Sequence, residues 1–191
     1  MNNLVKFAVS SIAGLGLGVI SAQALIDGYG SFFSKNHGPW TSWPTAGTRS
    51  SNPYVRAHYL IHNRLPISQF EINELEARVD DAGAPLDANC TYEIKGLMPK
   101  ARWWSLYTFS QESAHQTALP KRAGIGSQQV FYHQDGSFRI MLSTEPQTGN
   151  WLVPAGSDDL VIVLRHYNPG RSITNQFSFS NLPTITRGRC R

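Results

Sequence analysis

Hydrophobic and polar positions alternate in twos along much of this chain. Leu75, Ala77 and Val79 interleave with Glu74, Glu76 and Arg78, and Cys90, Tyr92 and Ile94 interleave with Thr91, Glu93 and Lys95. A period of two marks a strand with one buried face, so these runs predict an antiparallel pair around a turn from Asp81 to Pro85. Val130-Phe131-Tyr132 and Phe138 to Leu142 flank Asp135-Gly136, a hairpin signal. Leu160 to Leu164 is apolar on both faces, which predicts a central strand covered on both sides. Phe177 and Phe179 suggest a last strand, and Ser113 to Gly126 reads as a long loop.

The run from Arg102 to Phe109 holds adjacent tryptophans, Trp103 and Trp104. Successive strand residues point to opposite faces, so both faces of this sheet must be packed. Trp103 shares its face with Ser105, Tyr107 and Phe109, the more aromatic set, and is assigned to the core. Trp104 is assigned to the outer layer, against the Trp40–Trp43 segment or the helix from Pro53.

Two segments break the strand pattern. Asn52-Pro53 is an N-cap followed by proline at the first helical position, predicting a helix to about Arg64 that Pro66 ends. Near the N-terminus, Lys6 precedes an apolar stretch from Phe7 to Ile26, about twenty residues and long enough to span a bilayer. Ala22-Gln23-Ala24 fits a signal peptidase site, so a retained anchor and a cleaved signal, cut after Ala24, are both open. Lys6 leaves the N-terminal side in the cytoplasm and exports the body in either case. Gly14, Gly18 and Ala22 recur every fourth residue, the spacing that lets membrane helices approach closely and offers a route to a homo-oligomer. The expected organisation is residues 1–26 as signal-anchor or signal peptide, 27–51 as a Pro/Gly/Trp-containing connector packed on the body, and 52–191 as a β-sandwich domain. One short helix followed by six or seven strands favours a sandwich over its main competitor, a barrel.

Composition narrows the function classes. With 191 residues, 41% of them hydrophobic, the chain has room for one domain with a real core. The formal charge of +4 is scattered apart from Lys121-Arg122 and the tail Arg187 to Arg191, and no nucleic-acid motif accompanies it, so nucleic acid is not expected as a partner. Cys90 and Cys190 lie about a hundred residues apart and outside any Cys-x-x-Cys pair; in an oxidising compartment they read as a disulfide tying the basic tail to the sheet.

Chemical motifs are sparse. His58 and His62 could share a helix face, but Tyr59 stands where a zinc hydrolase motif needs glutamate and no third ligand is placed, so neither metal nor cofactor is expected. Gly124-Ile125-Gly126-Ser127 is not a nucleophile elbow. Glu74 and Glu76 alternate with Leu75 and read as a solvated face, and Asp158-Asp159 as a turn. The aromatic set is the best binding candidate. Trp40, Trp43, Trp104 and Trp151 with Arg102, Arg165 and Tyr167 could line a pocket for an apolar or sugar-like ligand, with core packing as the bland alternative.

The same residues carry a family resemblance. Gly38-Pro39-Trp40, Trp43-Pro44, Gly47, Asn52-Pro53-Tyr54, Arg56-Ala57, Leu86-Asp87, Cys90-Thr91-Tyr92, Ala101 to Leu106, Asp135 to Phe138, Glu145-Pro146, Gly149 to Leu152, Leu164-Arg165 and Tyr167 follow in order. Together they resemble the bacterial domain of unknown function 1214 in a short, membrane-tethered form. The resemblance implies a jelly-roll-like β-sandwich; longer relatives place a partner domain of unknown function 1254 before it, which this sequence lacks. The family has no generally established activity to carry over. The leading expectation is an inner-membrane, single-pass envelope protein with its body in the periplasm, acting by binding a ligand or partner. The rival is a small envelope hydrolase or carbohydrate-active enzyme with a pocket near Arg102 and Arg165.

Overall fold

In the computed structural model, residues 3–26, 32–97, 99, 101–110, 121–156, 159–167 and 181–191 are described. The apolar N-terminal stretch forms helix α1 (Asn3–Ile26), long and apolar enough to cross a membrane. The Pro/Gly-rich stretch after it contains a short hairpin, β1 (Lys35–His37) and β2 (Trp40–Ser42), and leads into α2 (Pro53–Ile61). The remaining elements are β3 (Ile72–Ala77), β4 (Cys90–Leu97), β5 (Trp103–Phe109), β6 (Gly124–Gly126), β7 (Ser137–Leu142), β8 (Asn150–Leu152), β9 (Val161–Tyr167) and β10 (Thr184–Cys190).

These strands build two open sheets, one of six strands ordered β1-β2-β3-β9-β5-β6 and one of four ordered β10-β4-β7-β8, with β7 and β8 parallel. The fold is mainly β, and neither sheet closes into a barrel. Apolar residues of both sheets share one core: Leu75, Leu106, Ile162 and Leu164 from the larger, Tyr92, Ile94, Ile140 and Leu142 from the smaller. Strand β9 lies between β3 and β5, and Val161 to Leu164 are all buried, as a strand covered on both faces requires.

Two strand expectations are corrected. β3 and β4 do not pair with each other: β3 lies between β2 and β9, β4 between β10 and β7, and the turn between them carries the chain from one sheet to the other. The hairpin at Asp135-Gly136 is present but smaller than expected. Gly136 takes the left-handed conformation (φ 76°), and only Tyr132 bridges back, to Phe138. The Phe177–Phe179 strand, Asp158 and most of the Ser113–Gly126 loop lie outside the described residues.

Two covalent and steric constraints fix the periphery. The Cys90–Cys190 disulfide fastens the end of β10 to the start of β4. Gly47 sits at φ 65°, and a Cβ there would lie 2.4 Å from the backbone of Ile67 and Ser68. Only glycine lets the segment before α2 press so closely on the segment after it.

Candidate functional site

The outer face of the six-stranded sheet carries the densest polar chemistry among the described residues. Because Leu75 and Ala77 point inward, Glu74 and Glu76 must point outward. Cross-strand register puts Glu74, Arg165 and Ser105 in one row and Glu76, Val163 and Tyr107 in the next. A two-layer reading leaves this face to water, but α2 packs over it.

The local sequence explains how α2 gets there. The Asn52 side chain accepts from the Tyr54 amide at 2.8 Å, and Pro53 opens the helix. Val55, His58 and Tyr59 form its buried face, and Val55 and Tyr59 join a small second core with Trp43 and Ala46. Past the helix, Asn63 turns the chain in the left-handed region (φ 50°), which sends Arg64 back beneath α2.

Arg64 forms ion pairs with both Glu74 and Glu76. Glu74 also accepts from Arg165 Nε at 2.5 Å. His58 Nε2 and Arg78 Nη2 each lie 3.7 Å from Glu76 carboxylate oxygens. The side chains of His58, Arg64 and Glu76 are no more than 5% exposed. Aromatic rings complete the enclosure: the Arg64 guanidinium lies 5.4 Å from the Tyr59 ring centre and 6.0 Å from that of Phe109, and Arg165 stacks over Tyr107 at 4.9 Å.

The electrostatics follow from this packing. Burial alone would raise the Glu76 carboxyl, but Arg64, with His58 and Arg78, overrides it and holds the group down to about 2. Burial, reinforced by the two carboxylates, pushes the Tyr59 and Tyr107 hydroxyls well above their ordinary range. Burial opposes the charge on Arg64, and the carboxylates outweigh it and raise its pKa. Two carboxylates facing two guanidiniums are mutually neutralised. A glycosidase-like pair needs one carboxyl raised so that it can donate a proton. Glu76 moves in the opposite direction.

The sequence-derived candidates occupy several places. Trp40 is in the central core, its Nε1 donating to the Pro183 carbonyl at 2.6 Å. Trp43 stacks on His58 with ring centres 4.1 Å apart. Trp151 donates to the Ser143 carbonyl at 2.8 Å beneath Arg122. Arg102 is exposed just ahead of β5. Trp40 and Trp104 both face the central core, while Arg165 and Tyr167 share the outer face, where Tyr167 meets Trp103 at 4.4 Å.

The facing of the tryptophan strand is the reverse of the expectation. Trp104 is 1% exposed in the central core, stacked on Phe138 at 5.0 Å and donating from Nε1 to the Tyr132 hydroxyl. Trp103 is half-buried on the outer face, lying over Gly126. The aromatic face of β5 serves the cations of the outer layer, not the sandwich core. The solvated-face reading of Glu74 and Glu76 is likewise corrected. Their alternation was visible, and so was a helix with nowhere to bury its apolar side except a sheet face; combining the two points to this cluster.

A separate cavity of about 420 Å³ opens where β4 ends and β7 and β10 begin. Leu97, Phe138 and Leu182 supply apolar wall, and Lys95, His133 and Arg139 supply polar groups. Both Lys95 and Arg139 pair with Glu93, leaving two cations against one carboxylate.

With this geometry in hand, the chain can be set beside known proteins. Residues 72–171, more than half of it, match the family described as Protein of unknown function (DUF1214). The chain belongs to the DUF1214 family. No curated protein matches it. Among solved structures, the VPA0106 protein from Vibrio parahaemolyticus is similar with a TM-score of 0.59 at 17% identity, covering 87% of this chain and 42% of that one. A putative uncharacterized protein from Burkholderia cenocepacia has a TM-score of 0.49 at 18% identity, covering 92% of this chain and 42% of that one. This DUF1214 chain therefore spans less than half the length of these structural relatives, and the likeness to the Vibrio protein is one of fold.

Proposed function

We propose that this DUF1214 protein is a bacterial envelope protein, held to the inner membrane by α1 with its body in the periplasm, and that it works by binding a small molecule. The carrying observation is the division of its polar groups. The Arg64–Glu74–Glu76–Arg165 cluster is mutually neutralised and largely buried, with Arg64 and Glu76 enclosed beneath α2, whereas the cavity beside β4 and β7 is open and lies within the volume range of ligand sites. Its apolar wall and net excess of cation suit a ligand with an apolar body and an anionic group. Retention of α1 is supported by its continuity to Ile26. Ala22 and Ala24 of the peptidase-like sequence sit inside the helix and half-buried, not in an extended, accessible segment.

A hydrolytic role near Arg165 would need a group that titrates near neutrality beside it. Arg165 is instead engaged with Glu74, which is shared with Arg64. The test uses the purified full chain and the fluorescent apolar sulfonate anilinonaphthalene sulfonate. Fluorescence enhancement that falls at least fivefold in the Lys95→Ala/Arg139→Ala variant supports the site. Enhancement unchanged in that variant contradicts it. Turnover of nitrophenyl esters or glycosides that Arg165→Ala abolishes would contradict the non-catalytic reading.

A further inference from the structure

We infer that the face of α2 and its flanking segments is a membrane-contact surface, seated in the lipid interface beside the point where α1 leaves the bilayer. The inference rests on α1 being a membrane anchor, and it concerns where the body sits, not what it binds. Outside α1, the large hydrophobic residues exposed among the described residues are Phe32, Leu60, Ile61, Leu65, Phe70, Leu97 and Phe131. All but the last two flank α2. Leu60 and Ile61 are its last turn, Leu65 and Phe70 lie in the connection to β3, and Phe32 adjoins Phe33, which stacks on Tyr54 of α2 at 5.8 Å. A concentration of exposed large apolar residues of this kind marks an interaction surface.

The length of α1 indicates what covers it. Residues 3–21 of α1 are exposed throughout, and contact with the body begins at Ala22. At 1.5 Å per residue this uncovered part spans about 28 Å, which matches a hydrocarbon core of about 30 Å. The body therefore starts where the hydrocarbon ends. At that level the Ile26 carbonyl accepts from His58 Nδ1 at 2.9 Å, so α2 lies directly against the exit point. Its contact with the last turn of α1 holds α2 at the level where the chain leaves the hydrocarbon, beside the headgroup layer. Leu60, Ile61, Leu65 and Phe70 can then enter the acyl boundary while exposed Arg56 meets lipid phosphate, the arrangement of an interfacial helix.

The test is depth measurement on the full chain in vesicles of phosphatidylethanolamine and phosphatidylglycerol brominated at shallow acyl carbons. With the disulfide intact, single variants Leu60→Cys, Phe70→Cys, Leu15→Cys and Thr186→Cys each carry one free thiol for a bimane label. Quenching at 60 and 70 of at least half that at 15, with none at 186, is the expected result. Labels at 60 and 70 that respond like 186 while 15 is quenched overturn the membrane-contact surface and leave the anchor standing. Labels at 60 and 70 shielded from both lipid bromine and aqueous iodide would mean a protein partner or second copy covers the face, which also overturns it. An unquenched label at 15 defeats the anchor and this inference together.

Discussion

His58 Nδ1 donates to the main-chain carbonyl of Ile26 across 2.9 Å while its Nε2 faces the Glu76 carboxylate at 3.7 Å. One imidazole thus connects the end of α1 to the buried charge of β3. His58→Phe preserves the aromatic surface against Trp43 and removes both polar contacts. We expect a loss of about 1–3 kcal/mol in urea unfolding, with faster proteolysis after Ile26, because a half-buried carbonyl loses this donor. Unchanged stability and unchanged proteolysis would show that α1 and the body are not joined through this residue.

The ion cluster should behave as a unit. Removing one member leaves uncompensated buried charge, so Arg64→Met alone is expected to cost about 3–5 kcal/mol. Arg78, whose side chain is 41% exposed, contributes through solvent, and Arg78→Ala should cost under about 1 kcal/mol. Replacing Arg64, Glu74 and Glu76 together by Met, Leu and Leu should recover much of the single-variant loss. Thermal and denaturant melts of the set decide this, since additive losses would contradict a coupled cluster.

Acid sensitivity should arrive in two windows. Burial lowers His166 from 6.5 to about 4, so the unfolded chain takes up a proton first and stability is lost as pH falls from about 6.5 toward 4. The Glu76 contribution is complete above the ordinary carboxylate value of 4.5 and is lost as pH falls toward about 2. His166→Asn should remove on the order of 3 kcal/mol from the first window, to which His62, lowered mainly by burial, also contributes, and leave the second. A stability profile in which His166→Asn keeps the full slope between pH 6.5 and 4 would contradict the assignment.

The adjacent tryptophans should separate cleanly. Trp104→Ala is expected to cost about 3–5 kcal/mol, as large core truncations do, and Trp103→Ala roughly half of that or less. Equal losses, or the reverse order, in denaturant melts would place the sandwich core on the other face of β5.

That pair also shows where the sequence was legible and where it was not. Alternation located β3 and β4, the tryptophan-bearing run β5, the Asp135-Gly136 signal β7, the continuous apolar run β9 and the Asn52-Pro53 cap α2, because each signal is local. The facing of β5 depends on what lies beyond each face: Phe138 from another sheet claims Trp104, while Arg64 and Arg165 claim the aromatic side. β10 escaped notice because Thr184 to Cys190 buries only Ile185 and otherwise reads as a basic tail; its disulfide partner was the clue to its place. β1 and β2 are three residues each, too short for periodicity to register. The ionic cluster looked solvated because its cover, α2, comes from a distant part of the chain.

Whether α1 is retained as an anchor can be read from one determination, the intact mass of the protein in the carbonate-washed membrane fraction and in the soluble fraction. A membrane-retained species that still contains residues 1–26, docked on the body through Ile26 and His58, is the expected result. A soluble species beginning at Leu25 would contradict it.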